Sequence, residues 1–287
     1  MIVPKIPLKA MKAKEVPFHK LEFPLLAQLK YDGVRLITTV RNGIAMFRTY
    51  NGSIVPLPRL AERFKHIDDV MLDGEIITQG GKNGTRTTVS GMINSAMHGG
   101  SINEDKLELA CFDSMPLTEF NNRYCTQRYS FRYGIVTNIA VQTGISIARN
   151  SLVRSIEGLI ELRDIVYADG YEGLILKPIN HTYVFGRSNQ WIKIKETKTC
   201  DLKCIDWIEG KGKYEGMIGA LHCVGTVEGK SIAVSAGSGM TDADRALPFD
   251  FYKDKTIELK YNTVIRDSVT GNWSLFLPRF VIVRIDK

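Results

Sequence analysis

The chain has no apolar run near the roughly 18 to 20 residues that span a bilayer. Its first twenty residues mix lysine and proline and hold no continuous apolar stretch. Neither a membrane helix nor a signal peptide is expected. Cysteine is sparse: five in 287 residues, at Cys111, Cys125, Cys200, Cys204 and Cys223, with no C-x-x-C pair. That is too little for a disulfide scaffold, and a reduced, intracellular protein is expected. The histidines (His19, His66, His98, His181 and His222) are scattered, without the spacing of a zinc site. Charge of one sign is not in large excess either. Lys+Arg 38 against Asp+Glu 31 leaves +7, of which residues 197–287 carry only +1. Such a balance permits a nucleic-acid partner without requiring one. Segments 80–82 and 210–213 are rich in Gly and Lys but lack the G-x-x-x-x-G-K-[ST] pattern of a P-loop.

What is present is an ordinary globular composition, 44% hydrophobic and 24% charged, at a length that suggests two domains. Short strands are expected at 25–31, 34–40, 44–49 and 53–55, joined by turns that include Asn42-Gly43 and Asn51-Gly52. This meander argues against a βαβ dinucleotide fold. Further strands are expected at 70–77 and 107–112, with a polar mobile loop at 80–94 between them. Residues 121–165 read as largely helical, and strand character returns at 174–176 and 191–194. The polar stretch 196–199 marks a domain boundary, giving domains 1–196 and 197–287. The second domain offers five strands, 202–208, 218–227, 231–236, 256–264 and 275–285, with a helix cap at Thr241 after the third. That is the order of an OB barrel.

Five motifs carry chemistry. Lys30-Tyr31-Asp32-Gly33-Val34-Arg35 lies between two strands, and Gly33 allows a sharp turn beside a ligand. A lysine between buried strands is biased toward its neutral, nucleophilic form. Alone, the element is equally a surface hairpin with a solvated lysine. The others are Asp73-Gly74-Glu75, Phe112-Asp113, Glu172-Gly173-Leu174-Ile175-Leu176-Lys177, and Lys193-Ile194-Lys195, whose two lysines share one strand face.

In this order the motifs resemble those of the ATP-dependent DNA ligases, and the resemblance extends over most of the chain. Arg48 matches the arginine on the family's following hairpin. In the second domain, 210–221, 235–245 and 277–287 are similar to segments of ligase OB domains. The size resembles that of the compact bacteriophage ligases. The resemblance implies an α+β chain: a nucleotidyltransferase (adenylation) domain of antiparallel sheets with flanking helices, then an OB-fold β-barrel.

It also implies roles. Lys30 would attack the α-phosphate of ATP and carry AMP, pass it to the 5′-phosphate of nicked double-stranded DNA, and so allow the 3′-hydroxyl to close the nick. Gln28 and Leu29 would border the nucleobase; many family members have Glu where this chain has Gln28. Phe112 would stack on adenine. Arg35 and Arg48 would contact AMP or the 5′-phosphate, and Glu75 the ribose or a metal. Glu172 would hold Mg²⁺ or another divalent cation. Lys193 and Lys195 would bind the α-phosphate or pyrophosphate, with Lys177 near the phosphates. Arg284 and Lys287 would orient pyrophosphate when the OB domain closes. A monomer with no membrane partner, acting in the cytoplasm (the host's, if viral), is implied. RNA ligases and mRNA-capping nucleotidyltransferases are the enzymatic alternatives. A non-catalytic OB nucleic-acid-binding protein is the alternative outside enzymes.

Overall fold

The computed structural model of the chain describes residues 8–82, 85–195, 198–266 and 271–284. Two compact units divide at Lys195/Glu196. The first holds β1 (Lys12–Lys14), β2 (Leu25–Lys30), β3 (Val34–Arg41), β4 (Ile44–Thr49), β5 (Ile54–Val55) and β6 (Val70–Thr78). They are followed by β7 (Leu107–Pro116), β8 (Ser146–Ile147), β9 (Ser151–Val153), β10 (Gly173–Pro178) and β11 (Arg187–Lys195). Its helices are α1 (Pro58–Glu62), α2 (Arg86–Met97), α3 (Leu117–Asn122), α4 (Tyr129–Thr143) and α5 (Ile156–Ala168).

These strands form two sheets, ordered β5-β4-β3-β6-β7-β8 and β1-β11-β10-β2-β9. The period-two alternation of side chains explains the layering. Leu36, Val40, Leu72 and Ile76 leave one face of the six-stranded sheet to meet Phe64, Val89, Ile93 and Val136 from α1–α4 and their loops. Ile37, Met71 and Met115 leave the other face and pack with Trp191 and Tyr183, between the sheets. Leu174, Leu176, Ile192 and Ile194 cover the far face of the five-stranded sheet against Leu159 and Val166 of α5. The alternate positions Ile175, Lys177, Lys193 and Lys195 are thereby left on the inner face.

Within residues 80–94, expected as a loop, the chain is helical from Arg86 onward. Val89, Ile93 and Ala96 are spaced at i, i+4 and i+7, and all three are buried. Their burial outweighs the weak helix preference of the Thr, Ser, Gly and Asn around them.

The second unit contains β12 (Lys198–Glu209), β13 (Ile218–Val227), β14 (Lys230–Ala236), α6 (Asp242–Ala246), β15 (Thr256–Tyr261), β16 (Thr263–Arg266), β17 (Trp273–Phe276) and β18 (Arg279–Val283). Its sheet order is β16-β17-β14-β13-β12-β15-β18, an OB-type arrangement around a core of Leu202, Leu221, Ile232, Ile257 and Phe280. The expected strands 256–264 and 275–285 each divide in two. The second breaks at Leu277, which has φ 52°, and at Pro278, which has no N–H for the ladder. Each half takes a different partner: β15 pairs with β12 and β18, while β16 pairs with β17. Thr241 caps α6 in a reciprocal box with Asp244. No helix among the described residues is long and apolar enough to cross a membrane.

Candidate active site

Between the two sheets of the first unit lies a cavity of about 370 Å³. Both sheets line it. Gln28, Leu29, Lys30, Ile175, Lys177 and Trp191 come from one side; Val34, Arg35, Thr49, Glu75 and Phe112 come from the other.

Lys30 ends β2, and the chain turns at once through Asp32-Gly33 into β3. That turn lies directly on β6: a Cβ on Gly33 would stand 2.2 Å from the Ile76 carbonyl oxygen. Opposite Lys30 is Gly173 of β10, whose own neighbour across the sheet is Lys195. Gly173 has φ +147°, and a Cβ there would meet the Ile194 oxygen at 2.1 Å. Only glycine fits, and Glu172 is carried to the rim, where its carboxylate ion-pairs with Lys30 Nζ. One row deeper, Gln28, Ile175 and Lys193 align in the same way.

Phe112 reaches the cavity through a β-bulge. Asp73 faces Asp113 and Gly74 faces Cys111, so Phe112 is the extra residue of β7 and turns out of the regular ladder. Its ring packs edge-on against Trp191, with centroids 5.5 Å apart. Phe112 and Ile175 thus bring one flat and one branched apolar side chain to the cavity from opposite sheets.

Arg35 is held firmly. Its Nε donates to Asp73 Oδ1 at 2.7 Å, its Nη1 to the Met11 carbonyl at 2.6 Å, and its Nη2 to the second Asp73 oxygen. Asp73 is fully buried and also accepts from the Tyr183 hydroxyl at 2.6 Å. Glu75, beside Arg35 on the cavity wall, behaves differently. Burial pushes its carboxyl up to about 7, with Glu172 adding to the rise, against the pull of Lys30, Arg35 and Arg86.

Lys177 is buried and belongs to the Gln28 end, not the Lys30 end. Its Nζ donates to the Phe112 carbonyl at 3.1 Å and to Tyr129 Oη at 3.3 Å. Tyr129 Oη also accepts from Gln28 Nε2 at 2.8 Å. Lys177 stands four positions along β10 from Gly173, or about 13 Å of strand. Burial lowers its ammonium to about 7, against the attraction of Asp113 and Asp73.

The orientation of Gln28 follows from donor and acceptor chemistry. Its Nε2 donates to the Ala148 carbonyl at 2.8 Å as well as to Tyr129. A carbonyl can only accept, so the NH₂ must point inward, and Oε1 remains as an acceptor for the cavity that Gln28 lines.

Lys193 and Lys195 pair with Glu15 at 3.4 and 3.6 Å and do not line the cavity. Arg48 does not line it either, although Thr49, Tyr50 and Asn51 do. In the second unit, Arg284 pairs with Asp201 and Glu258 at 3.6 and 3.4 Å. Lys287 lies outside the described residues. Among the described residues, no group of three or more His, Cys, Asp or Glu converges as a metal cluster. Glu172 pairs with Lys30, and Glu75 lies within the electrostatic reach of both. His181 is buried, bonded through Nε2 to Trp191 Nε1 at 3.0 Å, and lowered to about 4 by burial. It is a neutral structural group.

Motif reading missed Tyr129, Ala148, Arg86 and Glu15. None stands in a chemical motif, and Arg86 opens the helix that resembled a loop. Ile175 was accessible, because the alternation between Glu172 and Lys177 places it on the same face as Lys177.

Residues 7–195 match the family model for the ATP dependent DNA ligase domain, and residues 209–284 match that for the DNA ligase OB-like domain. The chain belongs to the ATP-dependent DNA ligase family. The DNA ligase of Enterobacteria phage T4 is 25% identical over 329 residues, covering 93% of this chain and 66% of that protein. DNA ligase 1 of Methanosarcina acetivorans is 26% identical, covering 99% of this chain and 54% of that protein. The chain therefore spans two-thirds or less of these curated relatives. Among solved structures, Pmar-Lig_PreS3 superposes with TM-score 0.82 at 21% identity, covering 96% of this chain and 67% of that one. A Lig E DNA ligase, described as binding DNA with a minimal scaffold, gives 0.71 at 21% over 99% and 100%. The bacteriophage T7 ATP-dependent ligase in complex with ATP gives 0.59 at 20% over 97% and 99%. At these identities the structural likeness speaks for the fold.

Proposed function

We propose that this ligase-family chain seals nicks in duplex DNA with ATP, through a lysyl-AMP intermediate on Lys30. The observation that carries the reading is Lys30 at the rim of a cavity with apolar walls at one end and paired charges at the other. Adenine would lie between Phe112 and Ile175, with its amino group toward Gln28 Oε1. The phosphates would reach Lys30, Lys193 and Lys195. Lys30 Nζ would attack the α-phosphorus and displace pyrophosphate. AMP would then pass to the DNA 5′-phosphate, and the 3′-hydroxyl would displace it. Such phosphoryl transfers depend mainly on alignment and charge.

Glu172 is the immediate acceptor for a proton leaving Lys30. Glu75, in its ionised form, would accept from the ribose or bind metal. Glu75 and Glu172 suit Mg²⁺ or another divalent cation, which takes one or two carboxylates and keeps several water and phosphate ligands. When bound, that ion would supply charge neutralisation at the phosphates. Arg35 already spends three donors within the fold, so its role is to shape the wall and offer what remains. Arg48, outside the cavity lining, suits the DNA 5′-phosphate better than AMP. Pyrophosphate orientation by Arg284 and Lys287 rests on the family resemblance alone. The domains would be 1–196 for adenylation and 197–287 for the OB barrel, acting as an intracellular monomer.

A gel assay on nicked DNA and nicked RNA duplexes, with ATP or GTP, tests the reading. Sealing of DNA with ATP is expected, and Gln28→Leu should narrow the ATP preference over GTP by about tenfold or more. Sealing confined to RNA, or a preference for GTP, would move the chain to the RNA-ligase or capping-type alternative.

A further inference from the structure

Three lysines expected to meet phosphate, Lys30, Lys193 and Lys195, already face a carboxylate. Lys30 has Glu172, and Lys193 and Lys195 have Glu15. Glu15 belongs to none of the chemical motifs. Its carboxylate approaches both lysines through one oxygen, Oε1, at 3.4 and 3.6 Å. A single anionic oxygen between two ammonium groups is how a bridging phosphoryl oxygen would sit.

The contact is loose. Both distances exceed the usual 2.7–3.2 Å of an N–H···O hydrogen bond, and the Glu15 side chain is 62% exposed. The Arg35–Asp73 pair is different in kind: Asp73 is fully buried, and its two oxygens engage the guanidinium side by side. That pair is a fixed strut. Glu15 has a held backbone and an exposed side chain. Lys14, just before it, is in register with Ile192 of β11, and Val16, just after it, packs into the core beneath the five-stranded sheet.

We propose that Glu15 is a displaceable stand-in for a nucleotide phosphate. Without nucleotide it offsets the repulsion between Lys193 and Lys195 and holds them on the site face. When ATP enters, a phosphate oxygen takes its place and Glu15 turns to solvent. When pyrophosphate leaves, Glu15 returns to the lysines and opposes rebinding. The inference rests on the reading of Lys193 and Lys195 as phosphate ligands. It adds a residue that sets nucleotide affinity by competition.

Competition and preorganisation have opposite signs, so one titration separates them. The full chain and its Glu15→Gln and Glu15→Asp variants would be adenylated in single turnovers over a range of ATP concentrations with Mg²⁺. Glu15→Gln should lower the ATP concentration for half-maximal rate about two- to fivefold, as expected for a partly exposed ion pair. The maximal rate should not change, and Glu15→Asp should stay near wild type. The gap between wild type and Glu15→Gln should close at about 0.5 M salt. Lys193→Ala and Lys195→Ala, run alongside, should raise the half-maximal concentration. If they do while Glu15→Gln leaves it unchanged or raises it, the stand-in role is wrong and the site reading survives. If the lysine variants leave it unchanged, both are overturned.

Discussion

Glu75 shows how one side chain can weaken the fold while serving the site. In the folded chain its carboxyl titrates near 7, against an ordinary value of 4.5, because burial disfavours the charge. A raised acid favours the fold only while protonated. Its contribution is full below about pH 4.5 and is lost as pH rises through about 7. Glu75→Gln, neutral at every pH, should therefore be more stable than wild type by roughly 2–3 kcal/mol at pH 8. The gain should vanish toward pH 4.5. The same variant should adenylate poorly, and wild-type adenylation should rise with pH through about 7 as the carboxylate forms. Denaturant unfolding at pH 5 and pH 8, beside a pH–rate profile, checks both halves. A gain over wild type no larger at pH 8 than at pH 5 would remove the argument from burial.

Among the elements, β10 carries most of the site geometry. It places Gly173 and Ile175 between β2, which ends at Lys30, and β11, which carries Lys193 and Lys195. Gly173→Ala combines an unfavourable φ with a Cβ 2.1 Å from the Ile194 oxygen. It should cost about 2–4 kcal/mol and separate β10 from β11. Thermal unfolding should show the loss, and adenylation should fall with it. A variant that melts like wild type would mean that the strands approach less closely than described. The strands themselves were legible in the sequence, because alternation and Asn-Gly turns are local signals. Ile44–Thr49 and Ile218–Val227 agree at both ends with the expected strands. Helix α2 was not legible. Its composition favours a loop, and only tertiary burial of Val89, Ile93 and Ala96 makes it a helix. Strand β1 was hidden for a similar reason: three residues have no periodicity, and it exists through its pairing with β11.

For the whole molecule, family and fold class were accessible from motif order, while the wiring behind the motifs was not. Tyr129 and Ala148 fix the Gln28 amide from about 100 residues away in sequence, and no local pattern announces such contacts. Net charge also reads differently once the fold is known. Arg132 is fully buried on Asp113, Arg35 is clamped by Asp73, and Lys177 is enclosed by aromatic rings. These cations build the first unit and add little to its outer potential, so +7 overstates the positive charge at its surface. The central claim is that Lys30 carries AMP. The direct measurement is covalent label on the protein after incubation with ATP labelled at the α-phosphate and Mg²⁺, followed by location of the labelled peptide. The expected result is label on the peptide containing Lys30, absent in Lys30→Ala and released by pyrophosphate. Label that persists in Lys30→Ala, or that maps to another lysine, would contradict it.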